Sequence, residues 1–146
     1  MVDRSELAVS KFSEGFNCAQ SVLFAFSDIL NIDKDLALKL TCGFGAGMGR
    51  MQEVCGAVSG GITALGFKYG KGQNDGSDAT ETTYRKVAEL MASFENEKGS
   101  YICKKLLSGC ELKTDEGQRA FKENDMKKRI CEPCVKSVVK IVERLM

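Results

Sequence analysis

Apolar positions spaced by three and four recur along almost the whole chain and predict helices. Leu7, Val9, Phe12 and Phe16 set a first helix over residues 5–14, with Gly15 as its C-terminal cap. Asn17 is the expected N-cap of a second helix over residues 18–30. Val22, Leu23, Phe24, Phe26, Ile29 and Leu30 make that helix apolar on nearly every side, the pattern of a core element. Asn31 ends it, and Asp33 caps a short third helix whose Leu36, Leu38 and Leu40 lead to Cys42. A fourth helix over residues 52–67 carries Val54, Ala57, Val58, Ile62, Ala64 and Leu65, followed by a polar, glycine-rich loop. The longest helix starts at Ser77 or Asp78 and runs to Glu97, with Gly99 closing it. Ser100 then caps a helix over residues 101–107, and a short helix follows over residues 116–122. A last helix opens within residues 127–134 and is striped by Val135, Val138, Val139, Val142 and Leu145. No run alternates as a strand would. The expected fold class is all-α, a compact single-domain helical bundle of about six to seven helices spanning residues 1–146.

One stretch breaks this regularity. Residues 42–61 hold seven of the fifteen glycines and two of the seven cysteines. Glycine at this density means backbone that turns left-handed or approaches something closely. Gly56, Gly60 and Gly61 lie inside the predicted fourth helix at a cost of about 1 kcal/mol each against alanine, so close packing of another helix is expected to offset them. Gly43, Gly45, Gly47 and Gly49 alternate, which misses the GxGxxG spacing, and the loop follows a helix where a dinucleotide fingerprint follows a strand. There is no Gly-Lys-Ser/Thr, so a P-loop is excluded. The favoured expectation is a tight crossing that brings Cys55 into the open, with an anion-binding nest beside Arg50 as the lesser alternative.

Composition narrows the chemistry. The chain carries 21 basic and 20 acidic residues, so no net field points to nucleic acid or a membrane surface. No apolar run is long enough to span a bilayer and residues 1–16 are charged throughout, so neither a membrane segment nor a secretory signal is expected. The expected location is cytoplasmic. The sequence has no histidine, which removes Ser-His and Cys-His nucleophile pairs and mixed Cys/His zinc sites. Chemistry therefore falls to sulfur or to a bound cofactor. Seven cysteines at irregular spacing do not make a secreted disulfide framework.

On the predicted helices the cysteines sort into two groups. Cys18, Cys55, Cys103, Cys131 and Cys134 fall at helix starts, where free N–H groups and the helix dipole favour a thiolate. Cys42 and Cys110 fall near helix ends, where the field opposes one. The alternative for any single position is a cysteine that serves as a small buried hydrophobe. Cys131-Glu-Pro-Cys134 has redox spacing, but the missing strand pattern argues against a thioredoxin fold. A second CxxC is absent, which argues against a zinc ribbon or a ferredoxin-type site. Lys127-Lys128-Arg129 is expected to be a solvated face.

Gly15-Phe-Asn-Cys18-Ala-Gln, Gly43-Phe-Gly-Ala-Gly-Met-Gly-Arg50, Cys55-Gly-Ala-Val-Ser-Gly60, Cys103-Lys-Lys-Leu-Leu and a last cysteine before an apolar terminal helix form one ordered pattern. In these residues the chain resembles the C_GCAxxG_C_C family of redox-active proteins, over nearly its whole length. The resemblance implies four characteristic cysteines: Cys18, Cys55, Cys103 and either Cys131 or Cys134, with Cys131 preferred. Cys42 and Cys110 are then additions.

The leading expectation is a redox-active thiol protein, with thiol–disulfide oxidoreductase activity left open. Cys55 or Cys131 attacks, a neighbour resolves, and helix termini with cations such as Arg50 or Lys104 supply the activation. A second expectation is a metal or iron–sulfur carrier on the same sulfurs, with zinc or iron–sulfur as the cofactor, or none under the first reading. A third is a helical interaction module with passive cysteines, which an exposed apolar face and widely scattered sulfurs would mark. The expected partner is a redox protein, a homodimer remains open, and neither nucleic acid nor membrane is expected.

Overall fold

A computed structural model describes residues 2–146. Among the described residues the protein is all-helical, with no strand. Eight regular α-helices occur, more than the six to seven expected: α1 (Arg4–Ser13), α2 (Cys18–Ala25), α3 (Lys34–Thr41), α5 (Gly56–Tyr69), α6 (Ser77–Lys98), α7 (Cys103–Leu106), α8 (Asp115–Glu123) and α9 (Glu132–Leu145). Between α3 and α5 lies a 3-10 turn, Cys42–Phe44, followed by the short segment α4 (Gly45–Met48), which is not right-handed inside. Among the described residues no helix is long and apolar enough to cross a membrane.

α2, α5 and α9 form the centre. Val22, Leu23 and Phe26 meet Val58 and Leu65, with Val135, Val138 and Val142 closing the core, all of them buried. The glycines of α5 fulfil the close-packing expectation at two positions. A Cβ on Gly60 would stand 2.6 Å from the Ala19 carbonyl oxygen, and one on Gly61 would stand 2.7 Å from a Val138 methyl. α6 lays Leu90 and Phe94 against this core, and α1 packs on α9. A smaller cluster, Cys103, Leu107 and Leu112, gathers Phe121, Met126 and Ile130 over one end of the bundle.

Local chemistry accounts for most boundaries. Asp3 accepts from the Ser5 and Glu6 amides at the start of α1, and Asp33 accepts from Leu36 at the start of α3. Asn17 and Gln20 form the reciprocal capping box of α2. α2 stops at Ala25, five residues short of the expected Leu30. The chain then turns to Asn31, whose φ of 53° is left-handed, and leaves Ile29 half exposed rather than in the core. α5 starts at Gly56 rather than at residue 52.

Candidate functional site

The glycine loop is the least regular backbone in the molecule. Ala46, Gly47, Met48, Gly49 and Arg50 all have positive φ, from 53° to 72°, so the chain makes a turn of left-handed helix. The three non-glycine residues each carry about 1–2 kcal/mol of strain there. Gly47 tolerates no side chain, because a Cβ would meet the Gln52 Cα at 2.6 Å and the Cys103 Cβ at 2.8 Å. Gly45 lies equally close to the Asn17 side chain, which in turn donates to the Cys42 carbonyl at 2.8 Å. The loop is thereby clamped between the start of α2 and the start of α7.

Leaving the loop, residues 53–55 run beside residues 101–103. The Cys55 amide donates to the Tyr101 carbonyl at 2.8 Å and the Cys103 amide to the Glu53 carbonyl at 2.7 Å, around the antiparallel pair Val54 and Ile102. Because side chains alternate along extended backbone, Cys55 and Cys103 leave the same face of this bridge. Ser100 is not the N-cap expected of the following helix. Its hydroxyl accepts from the Ile102 amide, and α7 begins at Cys103.

Cys18, Cys55, Cys103, Cys131 and Cys134 all line one cavity of about 350 Å³ between the main core and the smaller cluster. Its walls are apolar, with Phe12, Phe121, Leu112 and Ile130 prominent. Cys42 is exposed at the end of α3 and lies outside the cavity. Cys110 also lies outside and donates to the Gly117 carbonyl at 3.2 Å. All seven thiols are free.

Cys131 and Cys134 reach the cavity by a different route from the one expected. They do not flank a free helix start, because a π-helical turn, Lys127–Cys131, runs directly into α9. The Glu132 amide bonds back to the Lys127 carbonyl, five residues earlier. Pro133 explains the widened turn: it has no N–H to continue the ladder, and its ring would crowd the carbonyl four residues before it. On this continuous helix, Lys127, Cys131 and Cys134 recur at offsets of four and three and therefore share a face.

Burial decides the protonation of these sulfurs. It pushes the Cys18 thiol up to about 12, with Cys55 adding to the effect, against the amides of Ala46, Cys18 and Ala57 that pull it down. For Cys55 the largest cause is the Cys134 thiol lying against it, then burial, and the amides of Ala57 and Val58 only partly oppose them. Cys103 is pushed up to about 12 by burial and by Cys55 and Cys18, while the Gln52 side chain pulls it down. Cys131 is raised by burial and by Cys18, Cys55 and Cys103, and Lys127 alone among the leading causes lowers it. The expectation that helix starts acidify these thiols is overturned. Amides do point at Cys18 and Cys55, but the cost of burying charge among largely apolar walls exceeds their benefit. The mutual influence of Cys18, Cys55, Cys103 and Cys131 also means that their charges would oppose one another across the cavity.

Two functional neighbours escaped the sequence reading. Gln52 is buried with a left-handed φ of 57°, donates to the Cys110 carbonyl at 2.6 Å and accepts from the Leu112 amide at 2.8 Å. It thus ties the loop after α7 to the bridge beneath Cys103, and no sequence signal marks it. Lys127 belongs to the cavity rather than to a solvated face, and its ammonium lies 4.7 Å from the centre of the Phe12 ring. Its spacing from Cys131 and Cys134 was the signal that could have found it. Lys104, expected to activate a thiol, is instead paired with Glu111 at the surface.

Among the described residues no three Cys, Asp or Glu side chains stand ready-placed to hold a metal ion. A family model described as "Putative redox-active protein (C_GCAxxG_C_C)" matches residues 16–145. No curated protein and no solved structure matches the chain.

Proposed function

Because the chain belongs to the C_GCAxxG_C_C family, we propose that it is a thiol–disulfide redox protein whose working thiols are Cys18, Cys55, Cys103, Cys131 and Cys134. The observation that carries this reading is the convergence of five sulfurs from four separate stretches of chain on one cavity, with Cys134 against Cys55. Hydrophobic filler has no reason to gather in this way while Cys42 and Cys110 stay outside.

Cys131 is the attacking thiol. It is only partly buried, and Lys127 is the cation that favours its ionised form. After losing its proton it attacks one sulfur of a substrate disulfide, and the other half leaves as a thiol. Cys55 then attacks the mixed disulfide, releasing the second half as a thiol and leaving Cys55 bridged to Cys131. Attack by Cys134 moves the bridge to Cys55–Cys134 and frees Cys131. Two electrons have passed from protein to substrate, and a reducing partner protein restores the dithiol. The high proton affinity of Cys18, Cys55, Cys103 and Cys131 keeps these thiols uncharged near neutral pH, and each thiolate that does form is a strong nucleophile. A cytoplasmic, reducing setting suits such a site.

A second reading has its own support in the mutual repulsion of Cys18, Cys55, Cys103 and Cys131 on ionisation. A thiophilic cation such as zinc, copper(I) or an iron–sulfur core would relieve it. The sulfurs are not preset for ligation, so metal would have to draw them together, which places this reading second. An interaction module with passive cysteines fits least, since five of its sulfurs are gathered rather than scattered.

The test is purification without oxygen, followed by metal analysis, an absorption spectrum and thiol counts before and after mild oxidant. The dithiol reading expects no bound metal and a loss of two or four thiols that reductant reverses. Stoichiometric metal with protected thiols would overturn it.

A further inference from the structure

The cavity that holds the thiols also carries a charge pattern that the cysteines do not explain. Arg50, Lys122 and Lys127 line it, and no aspartate or glutamate does. In a chain with almost equal numbers of acidic and basic residues, three cations without a carboxylate around one cavity is a local bias. None of the three takes part in an ion pair among the described residues, whereas Arg4, Lys11, Lys39, Lys104 and Lys136 each do. Arg50 and Lys122 are exposed and so stand at the rim. Lys127 is half-buried against Phe12, nearer the thiols. Below them the walls are aromatic and aliphatic.

We propose that this cavity takes small disulfides that are apolar in body and anionic at one end. This rests on the thiol–disulfide reading above and names its substrate class. About 350 Å³ lies at the low end of small-molecule sites and suits a body of one or two rings. The apolar walls hold that body, and the three cations hold the carboxylate or sulfonate. A protein loop is disfavoured as the occupant, because its backbone amides and carbonyls would meet few polar partners among those walls. The reaction balances without a further reagent. The Cys131 thiolate displaces one substrate thiolate, which takes up a proton from water. Cys55 displaces the other, and the protein is left with one disulfide in place of two thiols.

The experiment compares three small disulfides, using the full chain carrying Cys42→Ser and Cys110→Ser so that only cavity thiols report. The probes are bis(carboxynitrophenyl) disulfide, which is a dianion, neutral dipyridyl disulfide, and cationic cystamine. Each rate is read by stopped flow at low and at high salt, and the proteins are checked by circular dichroism. Arg50→Gln with Lys122→Gln is expected to lower the ratio of dianion to neutral rate about tenfold at low salt, within the range that charge-lined clefts give. High salt should erase most of that difference. Lys71→Gln with Arg85→Gln removes the same charge from residues outside the cavity and should change the ratio less than about twofold. An unchanged ratio in the rim variant, or an equal fall in the remote one, overturns the anion preference. If all three probes consume the thiols without regard to charge, the redox reading stands and the substrate class fails. If none leaves a reversible protein disulfide, the redox reading itself fails.

Discussion

Cys55 and Cys103 are held on one face of a two-residue backbone bridge, each donating its amide across to the other's segment. Their sequence separation is large, with α5 and α6 lying between them in the chain. The bridge fixes the two thiols relative to each other through the backbone, and both line the cavity.

Disulfide mapping follows from the Cys134 thiol lying against Cys55. Mild oxidation of the free protein should yield a Cys55–Cys134 bridge in the unreduced peptide map. Cys134→Ser should shift the bridge to Cys55–Cys131, and Cys55→Ser treated with a small disulfide should stop at a mixed disulfide on Cys131, with the other half released as a thiol. A bridge that uses Cys42 in the monomer would count against the proposed order of exchange.

Stability should fall in alkali. The Cys18 and Cys103 thiols hold their protons up to about 12 in the folded chain, against a value near 9 when unfolded. Between those limits the unfolded state has lost protons that the folded state keeps, so rising pH favours unfolding. Their contribution is fully present below about pH 9 and is lost on the way to 12. For Cys18 the loss is about 1.4 kcal/mol per pH unit. Cys103 adds a loss in the same direction. Urea midpoints at pH 7, 9 and 10.5 should be flat over the first interval and fall steeply over the second, and Cys18→Ala should make the second fall shallower without removing it, since Cys55, Cys103 and Cys131 remain. A flat profile throughout would remove burial as the controlling term.

Two glycines of α5 should respond in opposite directions to alanine. Gly60 has the Ala19 carbonyl oxygen 2.6 Å from where a Cβ would go, so Gly60→Ala should cost about 1–3 kcal/mol through overpacking of α2. Gly66 has nothing within 4 Å, and Gly66→Ala should stabilise by about 0.5–1 kcal/mol through helix propensity. Thermal midpoints of the two variants should move to either side of the parent, and a gain for Gly60→Ala would contradict the close crossing.

Gln52→Leu removes the partner of the Cys110 carbonyl and of the Leu112 amide. Two polar groups in a partly buried setting lose their bonds, at a cost of about 1–3 kcal/mol each before relaxation. Denaturant unfolding should report that loss. Peptide-resolved alkylation should also slow at Cys103, because the side chain that favours its thiolate is gone. Loss of stability with unchanged alkylation would leave Gln52 a purely structural role.

The sequence alone determined the helical class and most of the helices, and it singled out the five cysteines that line the cavity. These are local matters: the three-and-four periodicity, the caps at Asn17 and Asp33, and the density of glycine around Cys55. It failed where the folded surroundings decide. Lys127 looked like solvated charge until the π turn before Pro133 joined it to the face of Cys131 and Cys134, and Gln52 carried no mark of its ties to Cys110 and Leu112. Helix starts by themselves argued for acidic thiols, and tertiary burial reversed the sign. An amide or a helix dipole acts over one turn and is countable from sequence. The cost of a buried charge depends on everything that surrounds it, which only the folded chain assembles.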